Sequence, residues 1–166
     1  MIHNTHFAQY IPPEDFHIVT GTWTYVAGQV TGTICAHKAA AAETSTLNVP
    51  ILIPSNSIAL NGCKLVSVEL DYEILIAACT SVTASIVKVV RGLDTAVAVV
   101  SAPAATQDLV AATTAATVDQ HRLTVSLTVP AWIDNDEYYF LKVIFISPGT
   151  TTIDLLAAVA NFTFRA

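Results

Sequence analysis

Nine consecutive residues, "VSVELDYEI" from Val66 to Ile74, alternate without a break between apolar and polar. Val66, Val68, Leu70, Tyr72 and Ile74 fall on one side, and Ser67, Glu69, Asp71 and Glu73 on the other. A period of two belongs to a strand with one buried and one wet face, because a helix would scatter these residues around its circumference. The pattern returns in "RLTVSLTV", which puts Leu123, Val125, Leu127 and Val129 inward and Arg122, Thr124, Ser126 and Thr128 outward. Pro130, lacking an N–H, is expected to stop that ladder.

"HIVTGTWTYVAGQVTGTICA" reads as a hairpin that reverses near Gly28 and Gln29, with Val19, Trp23 and Tyr25 on one side and Thr20, Thr22 and Thr24 on the other. Further strands are expected over 47–53, 82–90, 138–146 and 159–165, for about eight in all. Turn chemistry separates them: "PSN" and "NGC" within 54–63, "RGLD" at 91–94, "DND" at 134–136 and "SPGT" at 147–150. Short helical turns are expected in two Ala/Thr-rich connections, "KAAAAETST" and "TQDLVAATTAATVDQ", the second capped by Thr106 with Asp108 in its first turn. The expected architecture is an all-β antiparallel β-sandwich, specifically a jelly roll.

The chain has 166 residues, enough for one hydrophobic core without disulfide support. Residues 17–166 read as a single sandwich domain. Residues 1–16, with "YIPPEDF", read as an extended N-terminal arm whose Phe7, Tyr10, Ile11 and Phe16 would clasp a neighbouring subunit, and which carries His3 and His6 without a metal.

Charge is scarce. Apolar residues make up 53% of the chain and Asp, Glu, Lys and Arg only 12%, about half the usual charged share. A dispersed monomer needs more charge on its surface than that, so subunit contacts are expected to cover much of it. The net charge of −6, with seven scattered Lys and Arg, argues against nucleic-acid binding, which needs clustered cations. No run is long and apolar enough for a spanning helix, so no membrane partner is expected. The first residues show no basic stretch leading into an apolar one, so no signal peptide is expected and synthesis is placed in a cytoplasm.

Cys35, Cys63 and Cys79 are far apart. "CAH" at 35–37 lacks further zinc ligands, so the thiols read as small buried groups. Neighbouring carboxylates among Glu69, Asp71 and Glu73 would lie about 6.6 to 6.8 Å apart along a strand, a spacing that inverting glycosidases also use. Without a pKa-raising environment the row reads as solvated or paired across the sheet with cations such as Lys88 or Arg91. In "WIDNDEYYFLKVIFIS", Asp134 and Asp136 are the candidate cation ligands, but a calcium loop needs a glycine and a distal glutamate that are missing. The stretch reads instead as a tight turn entered through a buried Trp132 and Ile133. The strand after it is apolar on both faces, so Tyr138 and Phe140 are expected to meet another subunit or a covering loop. The sequon at Asn161 lies in an expected strand and reads as chance. No cofactor and no catalytic residue are expected.

Three stretches, "VPILIPSNSIALNGCKLVSVELDYEI", "VDQHRLTVSLTVPAWIDNDEYYFLKVIF" and "TIDLLAAVANFTFRA", resemble small β-sandwich virion proteins of tailed phages over residues 45–166. The resemblance implies a non-enzymatic, self-assembling structural protein of the virion, made in the host cytoplasm: a capsid decoration, spike or capsid-associated subunit. It also implies a homo-oligomer, a trimer in preference, that contacts other virion proteins. Two alternatives come from other classes. One is a carbohydrate-binding module using exposed Trp or Tyr with a cation near Asp134 and Asp136; the other is a glycoside-acting enzyme using Glu69, Asp71 or Glu73.

Overall fold

A computed structural model describes residues 4–28, 33–52, 63–91, 99–107, 116–134 and 136–165. His3, Asn135, Asp108 and most of the "PSN", "NGC" and "RGLD" turn signals lie outside the described residues. Among the described residues there are twelve strands: β1 (Asn4–Ile11), β2 (His17–Thr20), β3 (Trp23–Ala27), β4 (Ile34–Lys38), β5 (Glu43–Ile51), β6 (Cys63–Leu75), β7 (Ser81–Val90), β8 (Val99–Ser101), β9 (Ala105–Gln107), β10 (Asp119–Trp132), β11 (Glu137–Ser147) and β12 (Thr152–Arg165). The helical geometry among the described residues is one 3-10 turn, Pro13–Asp15.

The strands form two antiparallel sheets. Sheet A runs β3-β4-β12-β6-β10-β9, with β1 also on β12, and sheet B runs β2-β5-β11-β7-β8. Consecutive long strands alternate between the sheets. β4, β5, β6 and β7 wind inward to β8, and β10, β11 and β12 wind back out, pairing β6 with β10, β5 with β11 and β4 with β12. The resulting quartets, β4-β12-β6-β10 and β5-β11-β7-β8, make the eight-stranded double Greek key of a jelly roll. β1, β2, β3 and β9 extend its edges.

The core is the meeting of the two inner faces. Leu70, Tyr72 and Ile74 of β6 and Leu123 and Val125 of β10 pack with Leu47 and Val49 of β5 and with Leu141, Val143 and Phe145 of β11, each essentially without solvent contact. At roughly 25 cal/mol per Å² of apolar surface removed from water, these side chains supply the main driving force for folding.

Alternation locates the strands but not their changes of phase. Ser67 and Val68 of β6 are both buried, marking a bulge, so Leu65 rather than Val66 points inward below it. In β10 the pairing with β6 jumps from Ser126–Ser67 to Ala131–Leu65. Pro130 sits in that jump, and Val129 is thrown out to 76% exposure instead of facing the core. The ladder is interrupted there as the proline requires, yet it resumes through Trp132.

The hairpin expectation also needs correction. Trp23–Ala27 and Ile34–Lys38 do pair, with Gly28 N–H donating to the Thr33 carbonyl at 2.8 Å. His17–Thr20, however, belongs to sheet B, because the chain crosses between sheets at Gly21, whose φ is +106°. A Cβ there would lie 2.5 Å from Ser45 Cβ. Gly21→Ala is expected to lower stability by about 2 kcal/mol, measured by urea unfolding.

Neither Ala/Thr-rich stretch is helical where it is described. Thr106 pairs with Ser126 inside β9. Residues 39–42 join β4 directly to β5 because the fully buried Lys38 draws the Ala39 and Ala41 carbonyls around its ammonium at 3.1 and 3.2 Å.

The expected arm is taken up into the chain's own sheet. β1 pairs with β12 from Asn4–Arg165 to Ile11–Ala158, and Phe7 stacks on Phe162 and Phe164 with ring centroids 4.7 and 4.2 Å apart. Ile11 and Phe16 are 1% and 2% exposed, buried in this chain's own core. As subunit contacts they are therefore corrected: neither has surface to offer a neighbour.

Candidate functional site

The acidic row of β6 is held in partnerships. Arg122 of β10 grips Asp71 bidentately, Nε to Oδ1 at 2.7 Å and Nη2 to Oδ2 at 2.8 Å. Glu69 accepts a hydrogen bond from Asn161 Nδ2 at 2.9 Å. The cation paired with the row is Arg122, which lies on the adjacent strand in register with Asp71, whereas Lys88 pairs with Glu137. A carboxylate held at both oxygens by a guanidinium has neither oxygen free to meet a glycosidic oxygen.

The acidic knot of 134–137 is a turn. Glu137 N–H donates to the Asp134 carbonyl at 3.1 Å, and Arg91 N–H donates to the Asp136 carbonyl at 2.8 Å. The carboxylate that turns inward is Glu137, which forms an ion pair with Lys88 and accepts the Tyr139 hydroxyl at 3.2 Å. The hydrogen bond that Lys88 donates to Glu137, above all, raises the Lys88 pKa; burial, and then Glu137, raises that of Tyr139. Among the described residues, no group of three or more His, Cys, Asp or Glu side chains is placed to hold a metal ion.

The three cysteines are free and buried, and burial pushes the Cys63 and Cys79 thiols up to about 11. Next to Cys35, His37 Nδ1 pairs with Asp154 Oδ1 at 2.5 Å. Asn161, the sequon residue, is engaged with Ser67 and Glu69.

The outer faces of the two sheets differ in character. On sheet A, register places Trp132, Lys64, Thr163 and His6 in one row across β10, β6, β12 and β1. Trp132, expected to be buried, is 41% exposed, whereas Ile133 beside it is buried. Lys64 Nζ lies 4.5 Å from the indole centroid. A groove of about 400 Å³ follows this row, floored by Val66 and Pro130. It leads into a second hollow of about 470 Å³ that shares His6 and Val66 and ends at Glu69 and Asn161. Exposed Tyr10 stands on the same face, in register with Val159 and, through it, Glu69.

On sheet B, the outward positions of the central strands are Thr44, Thr46, Asn48 and Pro50 of β5, alternate residues 138–146 of β11, and 81–89 of β7. Lys142 is the one charge among them. Tyr138 and Phe140 stack at 6.3 Å and, with Pro50, Val89 and Val100, line a hollow of about 370 Å³. Val87 and Val89 are buried beneath these rings although they sit on the outer face. The expected subunit contacts therefore do not form one patch: Tyr138 and Phe140 lie on sheet B, Tyr10 on sheet A, and Phe7 is stacked within sheet A. The signal that could have located the two faces was the difference in charge between alternate positions of β6 and of β11.

No protein-family model matches the chain, and no curated protein matches it. Among solved structures it is similar to a low-affinity xylan-binding module of family CBM86 from Roseburia intestinalis, at 12% identity and TM-score 0.42, covering 93% of this chain and 94% of that one. It is also similar to the module TmCBM61 in complex with β-1,4-galactotriose, at 8% identity and TM-score 0.44, covering 93% and 91%. A family 11 carbohydrate-binding module from Clostridium thermocellum matches at 7% identity and TM-score 0.30, covering 97% and 87%.

Proposed function

We propose that the chain is a non-enzymatic structural subunit that assembles with copies of itself, a trimer in preference, through the outer face of sheet B. The observation that carries this reading is the near absence of charge on that face. A solvated outer face of an antiparallel sheet is normally polar at alternate positions, but here Pro50, Val100, Tyr138 and Phe140 lie together at the surface around the buried Val87 and Val89. Contiguous apolar surface of this kind marks an interaction site, with aromatic anchors of the sort that dominate subunit contacts. The sequence resemblance to virion proteins of tailed phages supports a capsid decoration, spike or capsid-associated role.

Light scattering on the purified protein is expected to show a discrete oligomer that persists on dilution. Phe140→Lys puts a second ammonium two residues from Lys142 and is expected to yield monomer with little change in melting temperature. Val100→Lys, at a site already 66% exposed, is expected to do the same should Phe140→Lys compromise folding. A wild-type protein that is monomeric at all concentrations would end this reading.

A carbohydrate-binding module is the second reading. It is favoured by a separate observation, the exposed Trp132 in its polar row on sheet A.

A further inference from the structure

We propose that the groove on the outer face of sheet A takes an acidic saccharide, with a sugar ring against the Trp132 indole and the saccharide's carboxylate on the Lys64 ammonium. The proposal rests on the carbohydrate-binding reading and names the ligand class of that site. Four register-paired side chains, Trp132, Lys64, Thr163 and His6, run across four strands. At about 4.8 Å per strand the row is roughly 14 Å long. A groove of about 400 Å³ along it falls within the range of small-ligand sites, which combine an aromatic wall with a few placed polar groups. The negative face of the indole attracts the electropositive C–H edges of a sugar ring, while Thr163 and His6 offer hydrogen bonds to hydroxyls.

Charge sets the preference for an acid. Of the other ionised groups on this part of the face, Arg122 neutralises Asp71, and Glu69 remains as a carboxylate at the far end of the second hollow, held by Asn161. Among the described residues Lys64 is in no ion pair, and its ammonium rests on the indole alone. A ligand carboxylate would complete that charge in a hollow walled by Trp132, Val66 and Phe164. A nucleic acid would need several such cations, and the row has only Lys64 beside His6.

The test is a titration of the full chain, followed by isothermal calorimetry, with uronate- and sialate-bearing oligosaccharides, each paired with its neutral counterpart, up to about 10 mM. Binding of at least one acidic member, at least about tenfold tighter than its neutral partner, is expected. Lys64→Gln should remove that preference, and Trp132→Ala should weaken binding by tenfold or more. Val100→Lys on sheet B should leave the titration unchanged, and the melting temperature of each variant reports whether it is folded. Neutral members bound as well as acidic ones, with Lys64→Gln silent, would overturn the acidic preference while sparing a carbohydrate site. No binding anywhere in the panel, or binding indifferent to Trp132→Ala in the folded variant, would overturn both.

Discussion

Phe145→Ala is expected to cost about 3 to 5 kcal/mol and, for a chain of this size, to lower the melting temperature by roughly 10 °C. Phe145 has no solvent contact. It points from β11 of sheet B into the space between the sheets, where its ring meets Tyr72 of β6 edge-on at 5.4 Å and Trp23 of β3 at 6.1 Å. Each neighbour is anchored in the opposite sheet, so neither can move far to fill the space. Partial relaxation leaves a cavity, and its cost adds to the lost transfer energy. Aromatic contact geometry contributes further beyond buried area. Phe145→Leu keeps most of the volume and should lose clearly less. Differential scanning calorimetry checks both variants, and a shift of only a degree or two for the alanine variant would mean that the sheets are not held together through this ring.

That contact joins residues far apart in the chain, which is why it could not be read from local pattern. Alternation in Leu70–Ile74, Leu123–Leu127 and Tyr139–Phe145 was legible because a strand between a core and solvent displays its burial directly in its sequence. Where burial departs from period two, the departure has a local cause that period alone does not reveal. The bulge at Ser67 and Val68 turns Val66 outward, and the excursion around Pro130 exposes Val129 and carries Trp132 onto the surface. The fate of β1 depends on an empty stretch of the β12 edge beside β4, a property of the assembled sheet and not of residues 4–11. The same holds for the acidic row: its carboxylates were visible, but Arg122 became their partner only through the β6–β10 register.

The low charge of the chain was legible as a total, and the structure shows how it is distributed. Sheet A keeps Lys64, Glu69, Asp71, Glu73 and Arg122 on its outer face, whereas the central strands of sheet B keep Lys142 alone. One sandwich therefore presents a wet face with a groove and a dry face with stacked aromatics. Burying the dry face in an assembly would leave the groove open, so the two proposed roles are compatible in one molecule and can be tested by substitutions that do not touch each other.

Glu43→Gln is expected to destabilise the protein by about 3 kcal/mol at neutral pH and to flatten its acid unfolding profile. Lys38 is completely buried, and Glu43 Oε1 lies 3.4 Å from its ammonium while accepting the Thr22 N–H and hydroxyl, both at 2.9 Å. Burial alone would raise the Glu43 pKa, but the Thr22 hydrogen bonds and the Lys38 charge outweigh it and hold the carboxyl below its ordinary 4.5. The folded state thus binds fewer protons than the unfolded chain as the pH falls through that range. The resulting stability is fully present above about pH 4.5 and is lost as the pH drops through the lower folded value. The glutamine variant keeps the shape, loses this dependence, and leaves a buried ammonium with carbonyl partners alone. Adding Lys38→Met removes that stranded charge and fills its space with a flexible apolar chain, so the double variant should recover much of the loss. Urea unfolding of the wild type and both variants between pH 3 and 7 reads all three effects. A single variant within about 0.5 kcal/mol of wild type, with the acid limb unchanged, would show that Lys38 does not depend on this carboxylate.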